Sequence, residues 1–163
     1  MGREFVLACD MRFAALESAI FGQPEVGFGL IPGSGAVRHL ARLMSRVRAL
    51  EVLLSTEDYD AGMAECYGSI NRALPAAALC DFVKSLARRI ASFPASALAV
   101  VKERVNASAL APAEDFRRDS SLFLDCVRNL PLAAVLAIWK EWSLVSPPLH
   151  LKLNYHVLSQ TPR

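Results

Sequence analysis

The fifteen residues from Phe21 to Gly35 set the strongest limit on how this chain folds. They read FGQPEVGFGLIPGSG and include five glycines and two prolines. Proline fixes φ and removes a backbone donor, and glycine is costly to order inside a helix or strand, so no regular element of useful length runs through here. The stretch must be a shaped loop. Its one charged residue is Glu25, directly behind Pro24. Two readings compete for that carboxylate: it faces water on a surface turn, or it is a catalytic group on a loop at the wall of an apolar pocket.

The rest of the chain can build such a wall. It has 163 residues, 53% hydrophobic and 21% charged, which is enough for a globular domain with a sizeable core. The formal net charge is +2 and no block of like charge exists, so neither nucleic acid nor an anionic membrane is expected as a partner. Arg38, His39, Arg42, Arg46 and Arg48 form the one local basic cluster, read as a solvated helix face rather than an anion site. Cys9, Cys66, Cys80 and Cys126 show no CxxC pair and sit among apolar residues, so they are expected to be small core hydrophobes in a reducing compartment. His39, His150 and His156 pair with no Cys or carboxylate at a metal spacing, so no zinc site is expected. Glu4 interrupts the first apolar run, so no secretory leader is read. The ten residues Leu130 to Trp139 are too few to span a bilayer. Cytoplasm or an organelle matrix (mitochondrion or peroxisome) is the expected location.

Along the chain, Phe5 to Cys9 fits a helix or a buried strand, and Met11 to Ala15 a short strand. Ser34 is placed to cap a helix starting near Gly35, with Leu40, Leu43, Val47, Leu50 and Leu54 on apolar faces of one helix or two adjoining ones. Asp58 to Gly62 reads as a turn into a short helix that Gly68 ends, and Ser69 to Leu74 as a strand. Pro75 opens the helix with the clearest stripe, Leu79, Phe82, Val83, Leu86 and Ile90, expected to face the core. Two more helices follow, one marked by Leu98, Val101 and Val105, the other by Phe116, Phe123 and Val127. Lys102 and Arg104 read as solvated, and Asp10 as a helix-end or turn residue.

Taken in order, GREFVLACDMRFAA, FGQPEVGFGLIPGSG, YGSINRALP and FPASALAVVKERVN resemble the crotonase superfamily, the enoyl-CoA hydratase/isomerase family, over roughly residues 2 to 128. The resemblance implies an α/β fold: an incomplete crotonase-type ββα spiral core over 1–75, a helical region over 76–128, and a divergent tail over 129–163. It assigns catalysis to Glu4 and Glu25, one carboxylate taking a proton from water while the other protonates the α carbon of an enoyl thioester. Gly2, Phe21, Gly22, Pro24 and Gly33 fall on substrate-binding positions. The substrate is an acyl-CoA thioester, and no separate cofactor is implied. Taken on its residues alone, Glu4 also fits a carboxylate favoured at a helix N-terminus by the helix dipole. Gly33, Ser34 and Gly35 resemble a phosphate-cradling turn, read here as a structural feature.

The same comparison exposes departures. Roughly a hundred family residues have no counterpart ahead of Met1, and an oxyanion-hole position falls at or beside Met1. Arg3 stands where the family has a small residue. The tail after Asn129 does not resemble the family's charged helix. An active hydratase or isomerase is therefore set against an inactive fragment serving in assembly, with apolar surface and a sheet edge uncovered and association with itself or with full-length relatives expected. A helical interaction module unrelated to acyl-CoA chemistry is a third reading.

Overall fold

The computed structural model describes residues 2–131 together with Ala133 and Leu136. Met1–Leu130 form one compact unit and Pro131–Arg163 another. In the second unit Ala133 and Leu136 are helical and exposed. Most of the apolar stretch from Leu130 to Trp139, the rest of the tail, His150, His156 and the position at Met1 lie outside the described residues.

The first unit is mixed α/β and rich in helix. Helix α1 (Gly2–Leu7) settles the ambiguity of the first apolar run. Strand β1 (Phe13–Ala15) pairs in parallel with β4 (Arg72–Leu74), while β2 (Ile20–Phe21) pairs antiparallel with β3 (Tyr59–Asp60). Between them the loop carries a single 3-10 turn, Glu25–Phe28. Helices α2 (Ala36–Leu43), α3 (Ser45–Ser55) and α4 (Ala61–Tyr67) follow, then α5 (Ala76–Ala91), α6 (Ala95–Ala109) and α7 (Ala113–Asn129). Asp60 caps α4 by accepting the Met63 N–H, and Gly68 ends it at φ 83°. Among the described residues no helix is long and apolar enough to cross a membrane.

The core lies under α1 to α4. One cluster joins Leu7, Ala36, Leu40, Met44, Ala49, Val52 and Leu53; a second joins Ala14, Ala61, Ala64 and Ile70. Arg12 is buried beside them, donating to the carbonyls of Ser69 and Cys9, with its guanidinium pKa lowered by that burial. Asn71 Oδ1 accepts the Arg12 N–H at 2.7 Å, so this polar seam stitches the start of β1 to that of β4.

Several expectations are corrected here. Ser34 does not cap α2: the N-cap position is Gly35, without a side-chain bond. Val47, Leu50 and Leu54 are exposed, and α3 instead buries Ala49, Val52 and Leu53. The cause is Ser45, whose φ of 74° interrupts the helix and rotates α3 out of phase with α2. The α5 stripe meets β1 through an edge-on contact of Phe82 with Phe13, ring centroids 5.3 Å apart, yet no residue of α5 is buried. Leu79, Phe82, Leu86 and Ile90 are half-covered, and Val83 is exposed. Val101, Val105 and Val127 also face outward. Cys9, Cys66 and Cys80 are exposed rather than core residues, and all four cysteines are free thiols. Asp10 and Lys102 form an exposed ion pair at 2.6 Å, worth at most about 1 kcal/mol.

Candidate active site

Glu4 stands in the first turn of α1, where its side chain is nearly buried. Its Oε1 accepts the Ser34 backbone N–H at 2.9 Å. The anion held by the Gly33–Gly35 turn is therefore the chain's own carboxylate. The opposite side of that turn is sealed by α7. A Cβ on Gly33 would lie 2.6 Å from Phe123, and one on Gly35 would lie 2.6 Å from the Phe116 ring. Gly35 also has φ 93°, so both positions need glycine, one for space and one for space and backbone conformation. Ser120 Oγ donates to the Gly33 carbonyl at 2.6 Å.

Glu25 opens the 3-10 turn behind Pro24 and is partly buried. Its Oε2 accepts from Gln23 Nε2 at 2.9 Å. Gln23 is itself 2% exposed, and its Oε1 has no partner among the described residues. Phe21, at the end of β2, stacks on Tyr59 with centroids 5.8 Å apart, and Asp58 lies against Gly22. Arg3 completes this group. Its Nη2 donates to the Tyr59 hydroxyl and its guanidinium sits 4.9 Å from the centre of the Tyr59 ring. Burial lowers the Arg3 pKa; the charges of Tyr59, Glu25 and Asp58 act in the opposite sense. Burial likewise raises the Tyr59 pKa against the pull of Arg3. Nε and Nη1 of Arg3 are buried without partners among the described residues.

The sequence-derived residues thus fall into two groups. Glu4 and Gly33 belong to the turn before α2. Phe21, Gly22, Pro24 and Glu25 belong to the loop that meets Tyr59. Helix α1, opened by Gly2, connects them: Glu4 reaches one group and its neighbour Arg3 the other. Each carboxylate is held through one oxygen, and among the described residues its second oxygen takes no hydrogen bond. Such a group can still exchange a proton with a ligand.

Gln23, Tyr59, Ser120 and Phe123 were not legible as site residues. Only Arg3 carried a signal, as a bulky cation where a small residue is the rule. In the basic cluster Arg38 pairs with Asp119, Arg48 donates to the Cys66 carbonyl, and His39 rests on Phe116. Among the described residues no three His, Cys, Asp or Glu side chains could hold a metal.

A family model described as enoyl-CoA hydratase/isomerase matches residues 1–130. A Dictyostelium discoideum protein named "Probable enoyl-CoA hydratase, mitochondrial" is 36% identical over 107 residues, 66% of this chain and 38% of that protein. A short-chain-enoyl-CoA hydratase of Clostridioides difficile is 36% identical over 108 residues, 66% of this chain and 69% of that protein. Among solved structures, one from Streptomyces avermitilis described as "a putative enoyl-CoA hydratase" superposes with a TM-score of 0.81 at 46% identity, covering 91% of this chain and 52% of the other. The chain therefore spans well under half of the first relative and about half of the solved structure. A match over most of the chain, in sequence and in fold alike, makes it a member of the enoyl-CoA hydratase/isomerase family of the crotonase superfamily.

Proposed function

We propose that this chain carries the acid/base half of a reaction on acyl-CoA thioesters, with Glu4 and Glu25 as the proton-transferring pair. Hydration adds water across the C2–C3 double bond: the oxygen attacks C3 as one carboxylate takes the water proton, and the other, protonated, delivers a proton to C2. Isomerisation needs only one such group, moving a proton between C2 and C4. The observation that carries the reading is the shared arrangement of the two carboxylates. Both are anchored through one oxygen, with no hydrogen bond to the other among the described residues, on elements joined through α1. A pair favours hydration over isomerisation.

The reaction also needs N–H donors on the thioester oxygen, and each such donor is worth about 3–4 kcal/mol in the transition state. The Streptomyces relative, of which this chain covers 52%, contains segments that the 163 residues do not match. We therefore expect slow turnover from these residues alone and faster turnover once those segments are supplied. The four free thiols fit a reducing aqueous compartment, cytoplasm or organelle matrix.

The test is loss of enoyl-thioester absorbance with crotonyl-CoA, for this chain alone and for this chain joined to the N-terminal segment of the Streptomyces relative. Glu25→Gln keeps the side-chain shape and should lower kcat by about 10²–10⁴-fold with little change in KM. An unchanged kcat in the joined protein removes Glu25 from catalysis.

A second reading, an assembly element, is favoured by the exposed valines Val83, Val101 and Val105 on α5 and α6. Exposed apolar side chains promote association where they form a patch. Light scattering should show self-association that Val101→Lys reduces. A monodisperse monomer without hydrophobic-dye binding overturns it.

A further inference from the structure

We infer that α7 is a positioning element for Glu4, with Ser120 and Phe123 as the positioning residues. The inference deepens the reading of Glu4 as a proton-transferring group and rests on it for its functional meaning. The chain of contacts is short. Glu4 Oε1 holds the Ser34 N–H at 2.9 Å. The peptide that supplies this N–H is the one whose carbonyl belongs to Gly33, and that carbonyl accepts from Ser120 Oγ at 2.6 Å. One peptide unit is thus gripped at both ends, by the carboxylate on its N–H and by α7 on its C=O. A hydrogen bond to the carbonyl polarises the amide and strengthens its N–H as a donor, so the two bonds reinforce each other.

Packing fixes the same unit sideways. Phe123 leaves no room for a Cβ at Gly33, and Phe116 leaves none at Gly35. The helix itself is fastened to α2 by a two-pronged bond, Arg38 Nε and Nη2 to Asp119 Oδ2 and Oδ1, both 3.0 Å. Asp119 is 5% exposed and is the only buried residue of α7. A helix that buries no apolar side chain is held here by Asp119 and Asp115 on Arg38 of α2, and by a hydroxyl and two phenyl rings against the turn that holds Glu4. Those groups orient the turn; they do not touch the reacting atoms.

The amide of Ser34 reads this coupling directly, by ¹⁵N–¹H NMR on the full chain. In wild type its resonance should lie downfield, as expected of a donor to a carboxylate, and Glu4→Ala should move it and speed its exchange with solvent. Ser120→Ala should shift it in the same direction and speed exchange by about tenfold, the worth of one hydrogen bond. Ser120→Thr keeps the hydroxyl and should restore wild-type behaviour. Phe123→Ala, which removes the Cγ and ring atoms facing Gly33 without removing a polar group, should act like a weaker Ser120→Ala and serves if that variant does not fold. With crotonyl-CoA, Ser120→Ala should lower kcat and leave KM near its wild-type value, with Ser120→Thr restoring kcat. If Ser120→Ala lowers the melting temperature yet leaves the Ser34 amide unmoved, α7 is merely structural and the inference fails. If the Ser34 amide responds as stated while Glu4→Gln leaves turnover unchanged, the positioning stands and the catalytic reading of Glu4 falls.

Discussion

Helices α1 to α4 and helices α5 to α7 have similar apolar content but opposite fates. In the first region small and medium side chains close around one another: Ala36, Leu40 and Ala61 are completely buried, and Arg12 is buried with Nε and Nη1 donating to backbone carbonyls. In the second, α5 and α6 bury no residue, and α7 buries an aspartate. A periodic stripe therefore reports that a helix has an apolar side, not that anything covers it. Burial needs a facing element, and the first region has one at every step because the β1–β4 crossover folds α2, α3 and α4 back onto each other. The second region is attached by polar latches and aromatic edges instead.

The sharpest way to break this contrast is a matched pair of truncations. Leu40→Ala removes a fully buried side chain and should cost about 2–5 kcal/mol in chemical denaturation. Leu86→Ala, at the centre of the most regular stripe in the sequence, removes a half-covered one and should cost only about 1 kcal/mol. Equal losses would mean that α5 is covered in solution, and the contrast would collapse. At this half-covered position the carboxylate of Leu86→Asp reaches water and escapes the several-kcal/mol penalty of a buried unpaired charge.

What the sequence made legible follows the same division between local and distant causes. The 21–35 loop, the Asp60 cap and the Gly68 terminus are set by residues acting on their own backbone, and each was readable. Glu4 and Glu25 were placed by resemblance, and the structure shows how each is anchored without assigning its chemistry. The Ser120 bond to Gly33 joins residues 87 apart, and no local pattern announces it. Gln23 looks like an ordinary loop amide; its burial follows from how the loop folds back, which composition does not encode. The phase error in α3 has a single source, the left-handed Ser45, a conformation rare enough outside glycine that no propensity scale would place it there.

Asp119 tests whether polar latches can replace a core. Asp119→Asn keeps the size but gives up the charge that Arg38 grips with two bonds. A charged hydrogen bond contributes about 1.5–3 kcal/mol, so the loss should exceed that of Leu86→Ala despite removing no apolar area. Hydrogen exchange should place the weakening in α7 and the Gly33–Gly35 turn, with α5 unaffected. Uniform loss of protection across α5, α6 and α7 would show that the three helices unfold as one body and that the latch is not specific to α7.

The smallest expected effect lies on the same seam, and its sign can be worked out. His39, on α2, packs against Phe116 of α7 with ring centroids 5.1 Å apart. Its pKa is lowered from 6.5, first by burial and then by the charges of Arg12 and Arg42. The folded state therefore resists a proton that the unfolded chain accepts near 6.5. Above that pH both states are neutral at this site and His39 contributes nothing. As pH falls through 6.5 the unfolded state binds more protons, so stability declines until the folded pKa is passed and then levels off. The melting temperature should fall between about pH 7.5 and about pH 5.5, above the range where ordinary carboxylates titrate. His39→Gln should flatten that slope, provided His150 and His156 are first replaced so that only one imidazole is read. The flattening should be accompanied by a loss of pH dependence in the exchange rates of α7 amides near Phe116, because the ring that titrates is the one α7 rests on. If His39→Gln leaves the slope unchanged, the His39–Phe116 contact is open enough in solution for the imidazole to titrate as if unfolded, and that contact does not help to hold α7.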